Sequence, residues 1–94
     1  MEYLVRIDWE YPQGMPRDEV DELMRAEEQR GIELMDEGVI KHFWRLPGRR
    51  ANVGIWEADD PADLNAAIWS LPWFPWFHAE VTPLATHYLT RDRS

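Results

Sequence analysis

The sequence predicts an α+β fold: a four-stranded antiparallel sheet with both helices on one face. Three observations predict it. The apolar residues repeat every second position, then at helical spacing, then every second position again. A Pro47-Gly48 turn joins two of the apolar runs into a hairpin. An Asp60-Pro61 start signal opens a second helix ahead of the last run. The order is β-α-β-β-α-β, the ferredoxin-like arrangement.

The first strand is read over residues 2–11, where Tyr3, Val5, Ile7, Trp9 and Tyr11 share one face and Glu2, Arg6, Asp8 and Glu10 the other. Pro12, Gly14 and Pro16 break it. From Arg17 to Glu37, the residues Val20, Leu23, Met24, Gly31, Leu34 and Met35 form a helical stripe. Acidic residues in the first turn suit the helix dipole, and Gly38 is placed to cap the other end. Val39–Leu46 and Ala51–Glu57 are the hairpin strands. The second helix has an Asp cap and Pro at its first position, with Leu64, Ala67, Ile68 and Leu71 as its apolar face and Pro72 as its stop. Leu71–Phe77 is an aromatic and proline knot. Phe77–Leu89 supplies a last strand, with Pro83 marking an edge, and Thr90–Ser94 is expected to fray.

At 94 residues the chain is expected to be one domain over residues 1–94. A domain of this size buries roughly 60–65% of its unfolded surface. Six Trp, three Tyr and three Phe are more aromatic surface than one small core can hide. Some of it is expected on the sheet face away from the helices, covered by a second subunit in a dimer or larger assembly. The net charge of −8 argues against nucleic acid or an anionic membrane surface as partner. No apolar run approaches the ~20 residues that span a bilayer. There is no cysteine, and the N-terminus does not read as a signal peptide, so a soluble cytoplasmic protein is expected.

Glu27 stands out among the polar residues. It projects between Leu23 and Gly31, near the centre of the helical stripe, seven residues from both Val20 and Leu34. A carboxylate there loses hydration, which raises its pKa toward the range useful for proton transfer. A structural pair with an arginine is the alternative. Asn52 shares a strand face with Gly54 and Trp56, and its amide can donate to an oxygen that becomes negative during reaction, or satisfy the nearby turn. Around that turn His42, Trp44, Arg45, Arg49 and Arg50 form the densest cluster able to hold a polar ligand. The arginines can grip a carboxylate, or solvate the hairpin and pair with the acidic helix. The three histidines lack metal-site spacing, and there is no glycine-rich phosphate loop, so neither metal nor cofactor is expected.

The run His42-Phe43-Trp44-Arg45-Leu46-Pro47-Gly48-Arg49-Arg50-Ala51-Asn52, followed by Leu71-Pro72-Trp73-Phe74-Pro75 and Glu80-Val81, resembles the muconolactone Δ-isomerase family. The matching elements are His-x-Trp-Arg-x-x-Gly-x-x-Ala-Asn and Leu-Pro-x-Phe-Pro, in register over nearly the whole chain. The resemblance implies a ferredoxin-like subunit that dimerises and assembles further, in the isomerases into a decamer. It implies cofactor-free conversion of muconolactone to 3-oxoadipate enol-lactone, in aromatic compound breakdown, by moving a proton along an allylic system. It places the family's catalytic glutamate on Glu27 and its active-site asparagine on Asn52. Where the isomerases carry a tyrosine two residues earlier, this chain has Arg50, which can stabilise negative charge but is a poor proton donor. Glu27, Asn52 and Arg50 are therefore the expected catalytic residues, with His42, Trp44 and Arg45 holding the lactone. A non-catalytic, oligomeric ligand-binding protein of the same fold is the alternative.

Overall fold

A computed structural model of the chain describes residues 1–91. Strand β1 (Glu2–Trp9) leads into helix α1 (Arg17–Asp36), strands β2 (Ile40–Arg45) and β3 (Ala51–Glu57), and helix α2 (Pro61–Trp69). A 3-10 turn at Phe74–Trp76, strand β4 (Phe77–Leu84) and a short helix α3 (Tyr88–Arg91) follow. All the strand pairs are antiparallel, in the order β2-β3-β1-β4, so the ferredoxin-like sheet expected from the sequence is formed.

The alternation in β1 becomes two chemically different sheet faces. Tyr3, Val5 and Ile7 are buried in one core with Ile40, Trp56, Leu34 of α1, Leu64 and Ile68 of α2, and Leu71. Both helices therefore lie on this inner face. Residues paired across a ladder share a face. Ile7 opposite Asn52, Val5 opposite Gly54 and Tyr3 opposite Trp56 thus place those three β3 residues inward. Leu4, Arg6, Val53 and Ile55 stand on the outer face, which no helix covers among the described residues.

The surplus aromatics are mostly not on that outer face. Of the strand aromatics among the described residues, Trp44 alone stands there, while Phe43 and Phe77 follow the inward register of Gly54 and Trp9. Tyr11, Trp73 and Trp9 instead gather at one end of the sheet, their rings meeting edge to face.

Local chemistry sets the boundaries. Helix α1 ends in a Schellman motif, in which Val39 N–H donates to Leu34 O at 2.9 Å and Gly38 N–H to Met35 O at 3.0 Å. Gly38 takes φ 78° there, a conformation that costs glycine little. Asp60 Oδ1 caps α2 by accepting from Asp63 N–H at 2.9 Å. Pro47 and Gly48 form the centre of a turn closed by Arg49 N–H donating to Leu46 O at 3.2 Å.

Three boundaries differ from those read in the sequence. Strand β1 stops at Trp9 rather than Tyr11, because Pro12 has no N–H and restricts the residue before it. Strand β4 stops at Leu84 rather than Leu89, and the chain turns into α3. Pro83 is tolerated because β4 is an edge strand. Of the tail expected to fray, Thr90 and Arg91 belong to α3, and its last three residues lie outside the described residues. Third, β2 starts at Ile40 and carries a bulge between Ile40 and His42. No helix among the described residues is long and apolar enough to cross a membrane.

Candidate active site

The predicted stripe of α1 does not close onto the sheet. Leu34, near the helix end, is its one buried residue, whereas Met24 and Met35 remain 37% and 45% exposed. Between helix and sheet lies a cavity of about 480 Å³, a size suited to a small ligand. Apolar side chains dominate its walls, among them Ile7, Trp9, Met24, Met35, Phe43 and Leu71. Glu27, Glu28, Arg45, Asn52 and Trp56 bring its polar groups.

Glu27 is half-buried on the α1 wall. Its Oε1 accepts a hydrogen bond of 2.8 Å from the backbone N–H of Trp73, and among the described residues Oε2 has no hydrogen-bond partner. Burial pushes its carboxyl above the usual glutamate range, and the Trp73 N–H partly opposes this by favouring the charged form. No ion pair to an arginine holds it among the described residues, so the structural alternative weighed from the sequence is not the arrangement found. A half-desolvated carboxylate with one tied and one open oxygen is equipped to take up and return a proton.

Across the cavity, Asn52 and Arg45 are direct partners on β3 and β2. Asn52 Oδ1 and Trp56 Nε1 are both buried without a hydrogen-bond partner among the described residues, an unusual pair within one small cavity wall. The Asn52 amide can present either its oxygen or its NH2 to a neighbour.

The sequence-predicted residues thus divide. Glu27, Asn52 and Arg45 line the cavity. His42 and Trp44 pair with Ile55 and Val53 on the outer face, their rings stacked 5.6 Å apart. Arg50 lies outside the cavity in a broad polar groove with Arg49, Asp8, Glu10 and His78, and its guanidinium sits 5.2 Å over the Tyr11 ring. Arg45, Trp9 and Phe77 border both spaces.

The β2 bulge explains the division. Ile40 faces inward opposite Trp56, and strict alternation would send His42 and Trp44 inward after it. The bulge shifts the register by one, turning Phe43 and Arg45 inward instead. Gly54 accommodates it, since a Cβ there would lie 2.6 Å from His42 O.

Two contributors were not identified as site residues from the sequence. The Trp73 N–H is a backbone group and leaves no side-chain signal, while Trp56 carried one in sharing the strand face of Asn52. Among the described residues no group of three or more His, Cys, Asp or Glu is placed to hold a metal ion.

The family model for muconolactone delta-isomerase matches residues 1–89. Muconolactone Delta-isomerase 1 of Acinetobacter lwoffii is 36% identical over 87 residues, which cover 93% of this chain and 91% of the relative. The muconolactone Delta-isomerase of Cupriavidus pinatubonensis is 34% identical, covering 93% of this chain and 95% of its own. A crystal structure of muconolactone isomerase matches with a TM-score of 0.86 at 27% identity, covering 94% of this chain and 92% of that one.

Proposed function

The chain belongs to the muconolactone Δ-isomerase family and is an enzyme of that isomerase type, and from this premise we propose that its cavity isomerises a small carboxylated lactone by proton transfer. The observation that carries the proposal is the half-buried Glu27 carboxylate facing Asn52 and Arg45 across one largely apolar cavity.

With muconolactone as substrate, Glu27 takes the proton from the ring carbon at the far end of the conjugated system. The electrons move toward the lactone carbonyl, whose oxygen gains negative charge in a dienolate. Return of the proton to the carbon beside that carbonyl moves the double bond and gives 3-oxoadipate enol-lactone. One carboxylate serves as base and then as acid, so no other proton carrier is required. The Asn52 amide, with its NH2 turned to the cavity, supports the developing oxyanion. Arg45 at the cavity rim holds the substrate carboxylate, for which its planar fork is shaped. The apolar walls keep water from the dienolate. Arg50, His42 and Trp44 stand outside this constellation, with Arg50 supporting its edge through Tyr11.

The outer face is proposed to be covered by a second copy of the chain. Leu4 and Trp44 there are 36% and 53% exposed, beside Val53 and Ile55.

Purified protein mixed with muconolactone tests the reaction. The expected result is loss of substrate and appearance of enol-lactone, followed by ultraviolet absorbance and proton NMR. No conversion above background anywhere between about pH 5 and pH 9, the range in which shifted carboxylates and histidines titrate, overturns it.

A further inference from the structure

Glu27 is held from outside its own helix, by a residue in the aromatic and proline knot. Between α2 and β4 that knot has only the 3-10 turn at Phe74–Trp76 as regular structure, and two prolines interrupt it, so the Trp73 N–H, which that turn does not use, depends on side-chain contacts to keep its aim. Trp73 has those contacts. It is 5% exposed, and its Nε1 donates to Glu10 O at 2.9 Å. Its ring meets Trp9 at 5.8 Å and Tyr11 at 6.1 Å between centroids, both edge to face. Glu10 is itself anchored, its N–H donating to Trp76 O at 2.8 Å, while Trp9 N–H donates to Arg50 O at 2.9 Å. The end of β1 is therefore threaded between the start of β3 and the knot.

We propose that Trp73 is a positioning residue for Glu27: its indole tie to Glu10 holds the Trp73 peptide where its N–H fixes one carboxylate oxygen and leaves the other to the cavity. This role rests on Glu27 being the base. A carboxylate without that tie turns freely and spends less time aimed at the substrate carbon, and small misplacements of a reacting group are costly in rate. The N–H also favours the ionised form. The other charged side chains lining the cavity are Glu28 on the same helix and Arg45 from β2. The cavity-lining residues of β1, β3, β4 and the knot are Ile7, Trp9, Asn52, Trp56, Leu71, Trp73 and Phe77, all uncharged, so this backbone donor is the direct partner that sets Glu27.

Trp73→Phe in the full chain keeps an aromatic ring and the backbone N–H but removes the tie to Glu10. The expected result is a kcat about tenfold lower, the size of one hydrogen bond's contribution, with KM changed by less than about twofold. The acid limb of the pH–rate profile moves to higher pH. A carbon-13 NMR titration of the Glu27 carboxyl moves in the same direction, a readout that needs no turnover. Tyr11→Leu, at an exposed position that does not endanger the core, gives a smaller shift of the same sign. Leu64→Ala, buried in the core away from the cavity, destabilises the fold but leaves the acid limb and the titration in place. An unchanged kcat and an unchanged Glu27 titration in Trp73→Phe overturn the positioning role, as does an equal shift in Leu64→Ala. Full turnover in Glu27→Gln overturns instead the assignment of the base, so the two failures are distinguishable.

Discussion

Arg45 and Asn52 stand directly opposite each other across the β2–β3 ladder, and both line the cavity that Glu27 faces from α1. A cation, an amide and a half-buried carboxylate thus converge on one apolar space from three elements. The lactone proposed as substrate offers a carboxylate for the cation and a carbonyl oxygen for the amide.

The two arginines of the hairpin are expected to behave differently. Arg45→Gln removes the group proposed to hold the substrate carboxylate, and kcat/KM should fall roughly tenfold, mostly through KM, because Arg45 itself is exposed at the cavity rim, where solvent weakens its hold. Arg50→Gln loses an exposed cation–π contact of about 0.5–1 kcal/mol and should change kcat/KM by less than about threefold. Steady-state kinetics of both variants check the contrast, and equal losses would count against the assignment of Arg45.

Burial of Glu27 has a signed consequence for pH. Its carboxyl is shifted upward from the ordinary 4.5, so the folded chain binds that proton more tightly than the unfolded chain does. Its contribution to stability is full below 4.5 and is lost as pH rises through the folded value. Urea unfolding across that window should show this loss in the wild type and lack it in Glu27→Gln. The acid limb of kcat/KM should lie above 4.5 for the same reason.

Gly54→Ala tests the bulge. Its new Cβ would sit 2.6 Å from His42 O and 3.1 Å from Phe43 Cδ1, and the first of these is backbone that cannot turn aside. Separating the strands should cost about 1–3 kcal/mol in urea denaturation. Because Phe43 and Arg45 follow the bulge into the cavity, activity should fall as well.

Trp44→Glu places a charge on the uncovered sheet face. If that face meets a second copy, light scattering after size exclusion should show a smaller assembly than the wild type. The Glu27 titration should be unaffected, since Trp44 lies on the other side of the sheet from the cavity.

What was legible in the sequence follows from how directly each feature is written in side chains. The β1 alternation as far as Trp9, the Asp60-Pro61 helix start and the Gly38 cap each have one chemical cause, and each is found where the sequence places it. Glu27 was legible because helical geometry places it within the apolar stripe. The bulge was not, since an extra residue in β2 alters no composition yet reverses the faces of His42, Phe43, Trp44 and Arg45. Nor was the gap under α1 visible, because Met24 and Met35 pattern the same whether they fill a core or line a cavity. The Trp73–Glu27 bond joins a backbone group to a distant helix, and only the folded chain brings them together.

The most direct measurement is the turnover of muconolactone by Glu27→Gln beside the wild type. The side chain keeps its shape and an oxygen for the Trp73 N–H, but it can no longer accept the substrate proton. If Glu27 is the base, kcat should fall roughly 10²- to 10⁴-fold while KM stays close to that of the wild type. A Glu27→Gln enzyme that turns over muconolactone at the wild-type rate would contradict the proton-transfer site described for this cavity.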